Sequence, residues 1–283
     1  MLNIFDKIFK TFFKYNKRKF RARYDFFNDS ILNDKLDKSS FVTIPFLDEE
    51  EVTLITNYIR EKTPLVSMAK DNGFVPGVTV KSKEEKKDLD LFLRNIIEPK
   101  LNSVAEDFKV VIFTILIKAF GENSKLDVHQ DWSIVDESKY ASYSLWIPLI
   151  DSTIENGAIQ IVEGSHKKFD NIRGGSILSV LNTNEKFTKQ MKQMKPIEMK
   201  KGELLILNQR AIHYSPANTT NKMRFSAIGT VVPKEAEIFL YYQKDKKNLE
   251  VYKMKEDFFF DYDDFILEKG QKPKGEKVGE IKL

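Results

Sequence analysis

The fold of this chain is decided by residues 201–233, which read KGELLILNQRAIHYSPANTTNKMRFSAIGTVVP. Two runs rich in branched apolar residues, at 203–207 and 225–232, are separated by Pro, Asn and Thr residues that favour turns. Upstream, VVIFTILIKAF at 110–120 and YSLWIPL at 143–149 have the same β-forming composition. Many short strands without long helices between them are typical of an antiparallel barrel or sandwich, so the sequence predicts a mainly β domain.

Helical patterns occur before the first of these strands. Asp48 and Glu51 have the spacing of a capping box, and the apolar stripe Val52, Ile55 and Ile59 follows at helical period. A second helical pattern covers residues 89–108. Helices of this kind usually pack on the outer face of a sheet, so we expect them to flank the β core and to carry no chemistry.

The composition excludes several classes of protein. The 283 residues are 41% hydrophobic and 31% charged, which is ordinary for a globular chain with a buried core. The absence of cysteine excludes disulfide scaffolds, thiolate metal sites and cysteine nucleophiles. No apolar run reaches the length of a membrane-spanning helix, and Lys and Arg interrupt the first residues too often for a secretory signal. We therefore expect a cytoplasmic protein.

Residues 1–25 hold a cluster of Lys and Arg residues with aromatic side chains at helical spacing between them. A basic amphipathic helix of this kind either docks on its own barrel or makes peripheral contact with an anionic membrane, and the sequence leaves both readings open. The rest of the chain is near neutral, and no base-reading module accompanies the cluster. No nucleic-acid partner is therefore predicted.

The chain has three histidines, which limits the candidates for a histidine site. His129 and Asp131 are two residues apart, and residues i and i+2 of a strand point to one face. His213 follows another predicted strand. Two imidazoles and one carboxylate on one face of an octahedral ion form the facial triad of non-haem iron(II) oxygenases. Taken alone, an HxD triplet is usually a surface turn, and a lone histidine on a strand is more often a packed core residue than a ligand.

Arg224 opens the apolar run that follows His213. A buried guanidinium without a partner is costly, so this arginine is expected to hold an anionic ligand through a bidentate pair with a carboxylate. Ser226 lies on the same strand face and can add a hydrogen bond to that ligand.

Three motifs occur together in one order: HQDW at 129–132, NGAIQIVEGSHK at 156–167 and KGELLILNQRAIHYSPANTTNKMR at 201–224. With them the chain resembles the phytanoyl-CoA dioxygenase-like family of Fe(II)/2-oxoglutarate-dependent oxygenases, from about residue 41 to 243. The resemblance implies a double-stranded β-helix, a jelly-roll and cupin-like core at about 110–243, with flanking α-helices.

Carried over by position, the resemblance also implies roles for individual residues. The implied iron ligands, which are the catalytic residues, are His129, Asp131 and His213. The residues implied to bind 2-oxoglutarate are Arg224, Trp146 and Ser226. His166 falls in the second motif and is interpreted as a fold or pocket-rim residue.

The implied activity is that of a dioxygenase using Fe(II), 2-oxoglutarate and O₂. It hydroxylates an unactivated C–H bond and releases succinate and CO₂. Asp131 argues against halogenation, in which a halide takes the place of that ligand. Two alternatives stay open: a catalytically silent jelly-roll that acts as a binding module, and a metal-dependent cupin-type enzyme that does not use 2-oxoglutarate. No motif selects among small-molecule, lipid-linked and biosynthetic substrates, and none indicates the oligomeric state.

These patterns predict three parts of the chain. Residues 1–40 form a basic amphipathic N-terminal extension, and residues 41–250 form a single oxygenase domain. Residues 251–283 form a C-terminal extension that ends in a flexible tail, because their last stretch is rich in Lys, Glu and Gly.

Overall fold

A computed structural model describes residues 24–62, 64–80, 82–169, 171–174, 190–243, 245, 248–261 and 273–282. The predicted basic helix at 1–25 lies almost wholly outside these ranges, so both readings of it stay predictions. No helix within the described ranges combines the length and the apolar composition that crossing a membrane requires.

The described residues form α-helices and β-strands with the following bounds. The helices are α1 (Ser30–Ser39), α2 (Glu49–Lys62), α3 (Leu65–Asn72) and α4 (Lys83–Val104). The strands up to the middle of the chain are β1 (Phe41–Pro45), β2 (Phe74–Pro76), β3 (Phe108–Lys118), β4 (Leu126–His129), β5 (Tyr143–Pro148) and β6 (Gln160–Ile161). The remaining strands are β7 (Lys195–Pro196), β8 (Glu203–Asn208), β9 (His213–Ser215), β10 (Arg224–Pro233), β11 (Phe239–Gln243), β12 (Asn248–Lys253) and β13 (Glu276–Lys282).

Helix α2 begins at the predicted capping box. The Asp48 amide donates to the Glu51 carboxylate at 2.9 Å, and the Glu51 amide donates to the Asp48 carboxylate at 2.9 Å. These two bonds satisfy backbone donors that the first turn of a helix leaves free. The predicted stripe of Val52, Ile55 and Ile59 is buried in the main core, together with residues of α4.

The largest sheet has six antiparallel strands in the order β1-β8-β5-β10-β3-β2. Its strands bury both faces. On β8, Leu204 and Ile206 pack in the core shared with the helices, whereas Leu205 and Leu207 pack in a second cluster on the opposite face. Because the helices cover the outer face, these strands are apolar on both sides and appear in the sequence as nearly continuous apolar runs.

A smaller antiparallel sheet has the order β4-β9-β6-β7. From β3 to β10 the chain passes repeatedly between the two sheets: β3, β5, β8 and β10 belong to the large sheet, and β4, β6, β7 and β9 to the small one. Ile161 of the small sheet packs with Trp146 and Leu205 of the large one. The two sheets therefore enclose one interior, which confirms the predicted jelly-roll with flanking helices.

The C-terminal residues differ from their prediction. Strand β12 crosses the predicted boundary at residue 250, and β11, β12 and β13 form a separate three-stranded sheet, so Phe239–Gln243 do not belong to the jelly-roll core. The prediction of a flexible tail is wrong for Glu276–Lys282, which pair along the length of β12. Ile281 is buried beside Val251 and Tyr241, and Lys277 pairs with the buried Glu250. These contacts offset the low hydrophobicity of the tail.

The last residues of the predicted N-terminal extension belong to the main core. Phe26 is 2% exposed and packs against Phe108 and Tyr143. The Tyr143 hydroxyl donates to the Tyr24 carbonyl at 2.8 Å. Leu36 of α1 is buried in the same cluster, so the chain is docked on the barrel from Tyr24 onward.

Candidate functional site

Strand pairing in the small sheet brings the two candidate histidines together. His129 ends β4 and His213 begins β9, and the two residues face each other in the antiparallel register. Their ring centroids are 4.3 Å apart. Asp131 follows two residues after the end of β4. Asp131 faces the same side as His129 because, in extended backbone, positions two apart present their side chains to one side.

The three side chains converge on one point. His129 Nε2 and His213 Nε2 lie 3.7 Å and 3.8 Å from Asp131 Oδ1. One ligand atom from each residue lies within 4.8 Å of the other two. Two imidazole nitrogens and one carboxylate oxygen suit a divalent first-row metal and leave positions free for other ligands, so the donor set fits iron(II).

Backbone hydrogen bonds orient both imidazoles. His129 Nδ1 lies 2.6 Å from the Asp127 carbonyl, and His213 Nδ1 lies 3.0 Å from the Ala211 carbonyl. A carbonyl oxygen can act only as a hydrogen-bond acceptor, so each Nδ1 must carry the ring hydrogen. Each Nε2 therefore presents its lone pair to the point that the three side chains share. Burial, together with His213, lowers the pKa of His129 to about 4, which keeps this ring neutral at physiological pH.

The carboxylate of Asp131 is held from both sides. The Ser144 hydroxyl donates to Asp131 Oδ2 at 2.7 Å, and the Gln209 amide donates to that hydroxyl at 3.2 Å. Arg173 Nε donates to the Asp131 backbone carbonyl at 2.7 Å. Arg173 is itself paired with the buried Glu137. Asp131 Oδ1 is therefore left to face the two histidines.

Arg224 lies at another part of the same cavity. It is 2% exposed, and its guanidinium carbon lies 5.2 Å from the centroid of the Trp146 ring. Its Nη1 donates to the carbonyls of Asn156 and Gly157. Gly157 has φ +81°, and a Cβ there would lie 2.4 Å from the Pro216 carbonyl oxygen, so only glycine fits this turn. Burial lowers the pKa of Arg224 to about 9.

Polar atoms without partners surround this arginine. Arg224 Nε, Trp146 Nε1 and Ser226 Oγ are buried and have no hydrogen-bond partner among the described residues. Unsatisfied buried donors are costly, and three near one strand end indicate a missing acceptor. An anionic carboxylate supplies that acceptor and pairs with the guanidinium. Arg224 and Trp146 line the cavity, whereas Ser226 is not among the described residues that line it.

Lys118 adds a second buried basic side chain that sequence reasoning missed. It pairs with Arg224 in the β3–β10 register and is 1% exposed. Its Nζ donates to the carbonyls of Ser215 at 3.3 Å and Pro216 at 2.5 Å. Burial, and to a smaller extent the nearby Arg224, lowers the pKa of Lys118 to about 6. An isolated lysine at the end of an apolar strand is ordinarily solvent-exposed, so its sequence context gave no signal of this role.

One cavity of about 380 Å³ contains the triad and Arg224. Its wall is predominantly apolar and is contributed mainly by the inner face of the large sheet. Of the residues assigned to the site from sequence, the cavity brings together His129, Asp131, His213, Arg224 and Trp146. His166 lies apart from this lining and is bound through Nδ1 to the Ser40 hydroxyl at 2.6 Å.

Sequence reasoning also missed the residues that fix Asp131. Glu137, Ser144, Arg173 and Gln209 were not singled out in the sequence. These polar residues are far apart in the chain and meet only when the strands assemble. The one available signal was the alternation of Ser144 and Trp146 with apolar neighbours on β5, which indicates a distinct inward face.

Solved structures share this architecture. SnoK, a non-heme alpha ketoglutarate dependent carbocyclase from nogalamycin biosynthesis, is 17% identical with a TM-score of 0.53, over 74% of this chain and 86% of its own. HygX from Streptomyces hygroscopicus with iron bound is 15% identical with a TM-score of 0.51, over 73% of this chain and 87% of its own. At these identities the likeness shows the fold.

Curated sequences give relatives at higher identity over shorter segments. The phytanoyl-CoA dioxygenase of Arabidopsis thaliana is 32% identical over 114 residues, which cover 38% of this chain and 39% of that protein. The phytanoyl-CoA dioxygenase domain-containing protein 1 homolog of Dictyostelium discoideum is 29% identical over 108 residues, covering 35% and 38%. The matched segments therefore span less than half of these relatives.

A family model matches a much longer part of the chain. The model for phytanoyl-CoA dioxygenase (PhyH) matches residues 40–226. This range begins just before β1 and ends within β10. It contains His129, Asp131, His213 and Arg224, the residues that the fold gathers in one cavity. The chain belongs to the phytanoyl-CoA dioxygenase family.

Proposed function

We propose that this protein is an Fe(II)- and 2-oxoglutarate-dependent dioxygenase that hydroxylates a C–H bond of a small molecule. The observation that carries the proposal is the presence, in one cavity, of a His–Asp–His cluster and a buried arginine without an anionic partner among the described residues. The first group suits iron(II), and the second suits the distal carboxylate of a dicarboxylic acid.

The side chains have separate tasks in this proposal. His129, Asp131 and His213 hold the metal from one side, and Ser144 fixes which carboxylate oxygen of Asp131 turns toward it. Arg224 binds the distal carboxylate, with the Trp146 indole as a further donor. Bound iron(II), with 2-oxoglutarate and O₂, supplies the oxidising chemistry, and succinate and CO₂ are released.

The apolar interior contributes water exclusion. Low polarity around the metal strengthens the interaction of Arg224 with a carboxylate and protects reactive species from side reactions. Hydroxylation is the simplest outcome, because Asp131 occupies the ligand position that a halide would need. The placement of the substrate decides between hydroxylation and other oxidations. SnoK, which has the same fold, is a carbocyclase. The fold therefore does not select hydroxylation, and the hydroxylase activity belongs to our proposal.

The test is the formation of succinate. Purified protein is loaded with iron(II) without oxygen, then given 2-oxoglutarate and O₂, and succinate is followed by mass spectrometry. We expect slow succinate formation without added substrate, lost in His129→Ala and reduced at least about tenfold in Arg224→Ala.

Matched controls separate the site from general damage. His166→Gln changes a histidine outside the cavity, and Arg60→Ala removes an exposed arginine; both should keep the wild-type rate. If succinate forms only when the substrate is present, calorimetric titration of the metal-loaded protein measures 2-oxoglutarate binding directly. If the protein binds iron but not 2-oxoglutarate, a cupin-type enzyme without this co-substrate replaces the proposal. If it binds neither, a binding module does.

A further inference from the structure

The cavity extends beyond the triad on the side away from Arg224. The β5–β10 register places Trp146 opposite Ile228 and Ser144 opposite Thr230. Ser144 holds the carboxylate of Asp131, so the triad lies near the level of Thr230. Arg224 lies at the other end of β10. A co-substrate that extends from Arg224 to the metal therefore lies beside Trp146. It leaves the part of the cavity beyond Thr230 free.

The wall of that free space is apolar and partly aromatic. Ile112, Ile134 and Phe259 are buried there, with the partly buried Val78 and Trp132 packed against them. All five line the cavity. They come from separate parts of the chain and form one hydrophobic cluster, which is distinct from the cluster around Trp146.

Charged groups are scarce in the lining. Apart from the imidazoles, the charged side chains among the described lining residues are Asp131 and Arg224. The proposed function engages both, one with the metal and the other with the co-substrate. A zwitterion, a phosphonate or a sulfate placed past the triad would be buried without a counter-charge from any described lining residue, and such burial is strongly unfavourable.

Two neutral acceptor atoms beside the triad, Gln130 Oε1 and Gln209 Oε1, are buried and have no hydrogen-bond partner among the described residues. Gln209 is 4% exposed and donates through Nε2 to the Ser144 hydroxyl at 3.2 Å. Because Ser144 donates onward to Asp131, it must accept from the amide, and this fixes Gln209 Oε1 as the acceptor. That oxygen is buried and has no partner among the described residues. It can accept one hydrogen bond from a hydroxyl or N–H group of a ligand.

Phe259 completes the wall from outside the family match, which ends at residue 226. It lies in the turn Phe258–Phe260, which is fastened to α4. Lys86 Nζ donates to the Phe260 carbonyl at 3.1 Å, and Lys83 pairs with Asp261 at 2.9 Å. This turn is therefore a fixed part of the wall, and the Phe259 ring contributes to the cavity lining.

We infer that the space past the triad binds an uncharged, mainly apolar substrate that carries a hydroxyl or N–H donor, and that Phe259 is a specificity-determining residue. The inference rests on the proposed function, since it assigns the remainder of the cavity to 2-oxoglutarate and the metal.

The test compares two fluorescent probes with the same aromatic skeleton. N-phenyl-1-naphthylamine is neutral and has one N–H donor, and 8-anilinonaphthalene-1-sulfonate adds one sulfonate. Both are titrated into full-length protein loaded with nickel(II) and 2-oxoglutarate, so that the co-substrate occupies Arg224. We expect one site for the neutral probe, with a Kd at least about tenfold lower than that of the sulfonate. Equal affinities would overturn the inference.

Phe259→Trp provides the positional test. The larger ring fills the cavity, so we expect the affinity for N-phenyl-1-naphthylamine to fall at least about tenfold. Phe120→Trp is the matched control, because Phe120 is 61% exposed, and its affinity should equal that of wild type. Unchanged affinity in Phe259→Trp would show that the probe binds elsewhere and would overturn the assignment of Phe259.

Calorimetric titration of each variant with 2-oxoglutarate is the control for folding. It also tests the proposed function independently of the probe measurements. If 2-oxoglutarate binds normally while the neutral probe does not bind wild type, the apolar substrate site is wrong and the oxygenase proposal stands. If Phe259→Trp has lost 2-oxoglutarate binding, Phe259→Leu replaces it. Leucine is smaller than phenylalanine, so this change adds no bulk to the cavity wall. We expect Phe259→Leu to alter the probe affinity and Phe120→Leu to leave it unchanged.

Discussion

Two basic side chains are neighbours at one end of the large sheet: Arg224 lines the cavity, and Lys118 lies beside it on β3 without being among the lining residues. Lys118 and Arg224 face each other across β3 and β10. Burial lowers the pKa of Lys118 to about 6 and that of Arg224 to about 9. Without a ligand, Lys118 is therefore mostly neutral above pH 7. A bound dicarboxylate stabilises the protonated amine and raises its pKa again.

This coupling predicts a pH dependence for 2-oxoglutarate binding. Between pH 6.5 and 8 the ligand's carboxylates do not titrate, so binding is accompanied by proton uptake at Lys118. Uptake on binding means that affinity falls as pH rises, by up to about tenfold per unit for one full proton. Calorimetry of the metal-loaded protein in buffers of different ionisation enthalpy measures both the slope and the number of protons.

The Lys118→Met variant is the control for this prediction. It keeps an unbranched side chain that is one atom shorter and removes the titrating amine, so the slope between pH 6.5 and 8 should disappear. A slope that persists in Lys118→Met would assign the proton to another group.

At the scale of elements, the loop after β4 is fixed by a buried ion pair. Arg173 and Glu137 are 8% and 9% exposed, and Arg173 Nη2 lies 2.5 Å from Glu137 Oε1. The same arginine donates through Nε to the Asp131 carbonyl, and its backbone amide donates to the Ser133 hydroxyl oxygen. One guanidinium therefore ties the segment that follows His166 to the loop that carries Asp131.

Breaking this pair should affect stability and metal binding together. We expect Glu137→Gln to lower the free energy of unfolding by about 3 kcal/mol, because it leaves a buried guanidinium without its counter-charge. Metal affinity should fall about tenfold, since Asp131 loses its backbone support. Urea unfolding and calorimetric metal titration measure the two effects.

The exposed pair Lys195–Glu163 is the comparison, with side chains 68% and 46% exposed. Glu163→Gln should change stability by no more than about 0.5 kcal/mol, because solvent screens the pair. If Glu137→Gln behaves like Glu163→Gln, the buried pair does not support the site.

For the whole molecule, the three-stranded sheet extends the hydrophobic interior beyond the jelly-roll. Leu240 and Tyr252 of β11 and β12 belong to the same cluster as Ile112 of the large sheet and Phe259 of the cavity wall. On its other side, Ile281 of β13 packs with Val251 and Tyr241. The C-terminal strand therefore supports the cavity indirectly.

Ile281→Ala tests whether this sheet unfolds with the barrel. Ile281 is 3% exposed, and truncation of a buried isoleucine removes apolar contacts and leaves a cavity, so we expect a loss of about 2–3 kcal/mol in the free energy of unfolding. Lys282→Ala, at the exposed neighbouring position, should be neutral. A single urea transition that is shifted only in Ile281→Ala supports one cooperative unit, and equal behaviour of the two variants contradicts it.

Much of the candidate site was predictable because its candidate ligands belong to short, regular segments. His129 and Asp131 share a strand end, and Arg224 opens an apolar strand in which a charge needs a partner. The capping box of α2 was predictable for the same reason, since its two hydrogen bonds join residues three apart. The strands of the jelly-roll core were visible as apolar runs. The C-terminal strand was not, because only Val278 and Ile281 mark it as apolar.

The sequence by itself determined the β-rich fold class, the flanking helices and the identity of the candidate ligands, since these depend on local periodicity and residue chemistry. Tertiary structure alone decided which polar residues serve the site. Lys118, Glu137, Ser144, Arg173 and Gln209 acquire their roles from burial and from partners distant in the chain. The physical reason is that desolvation and long-range hydrogen bonding depend on which surfaces meet, and no short segment of sequence contains that information.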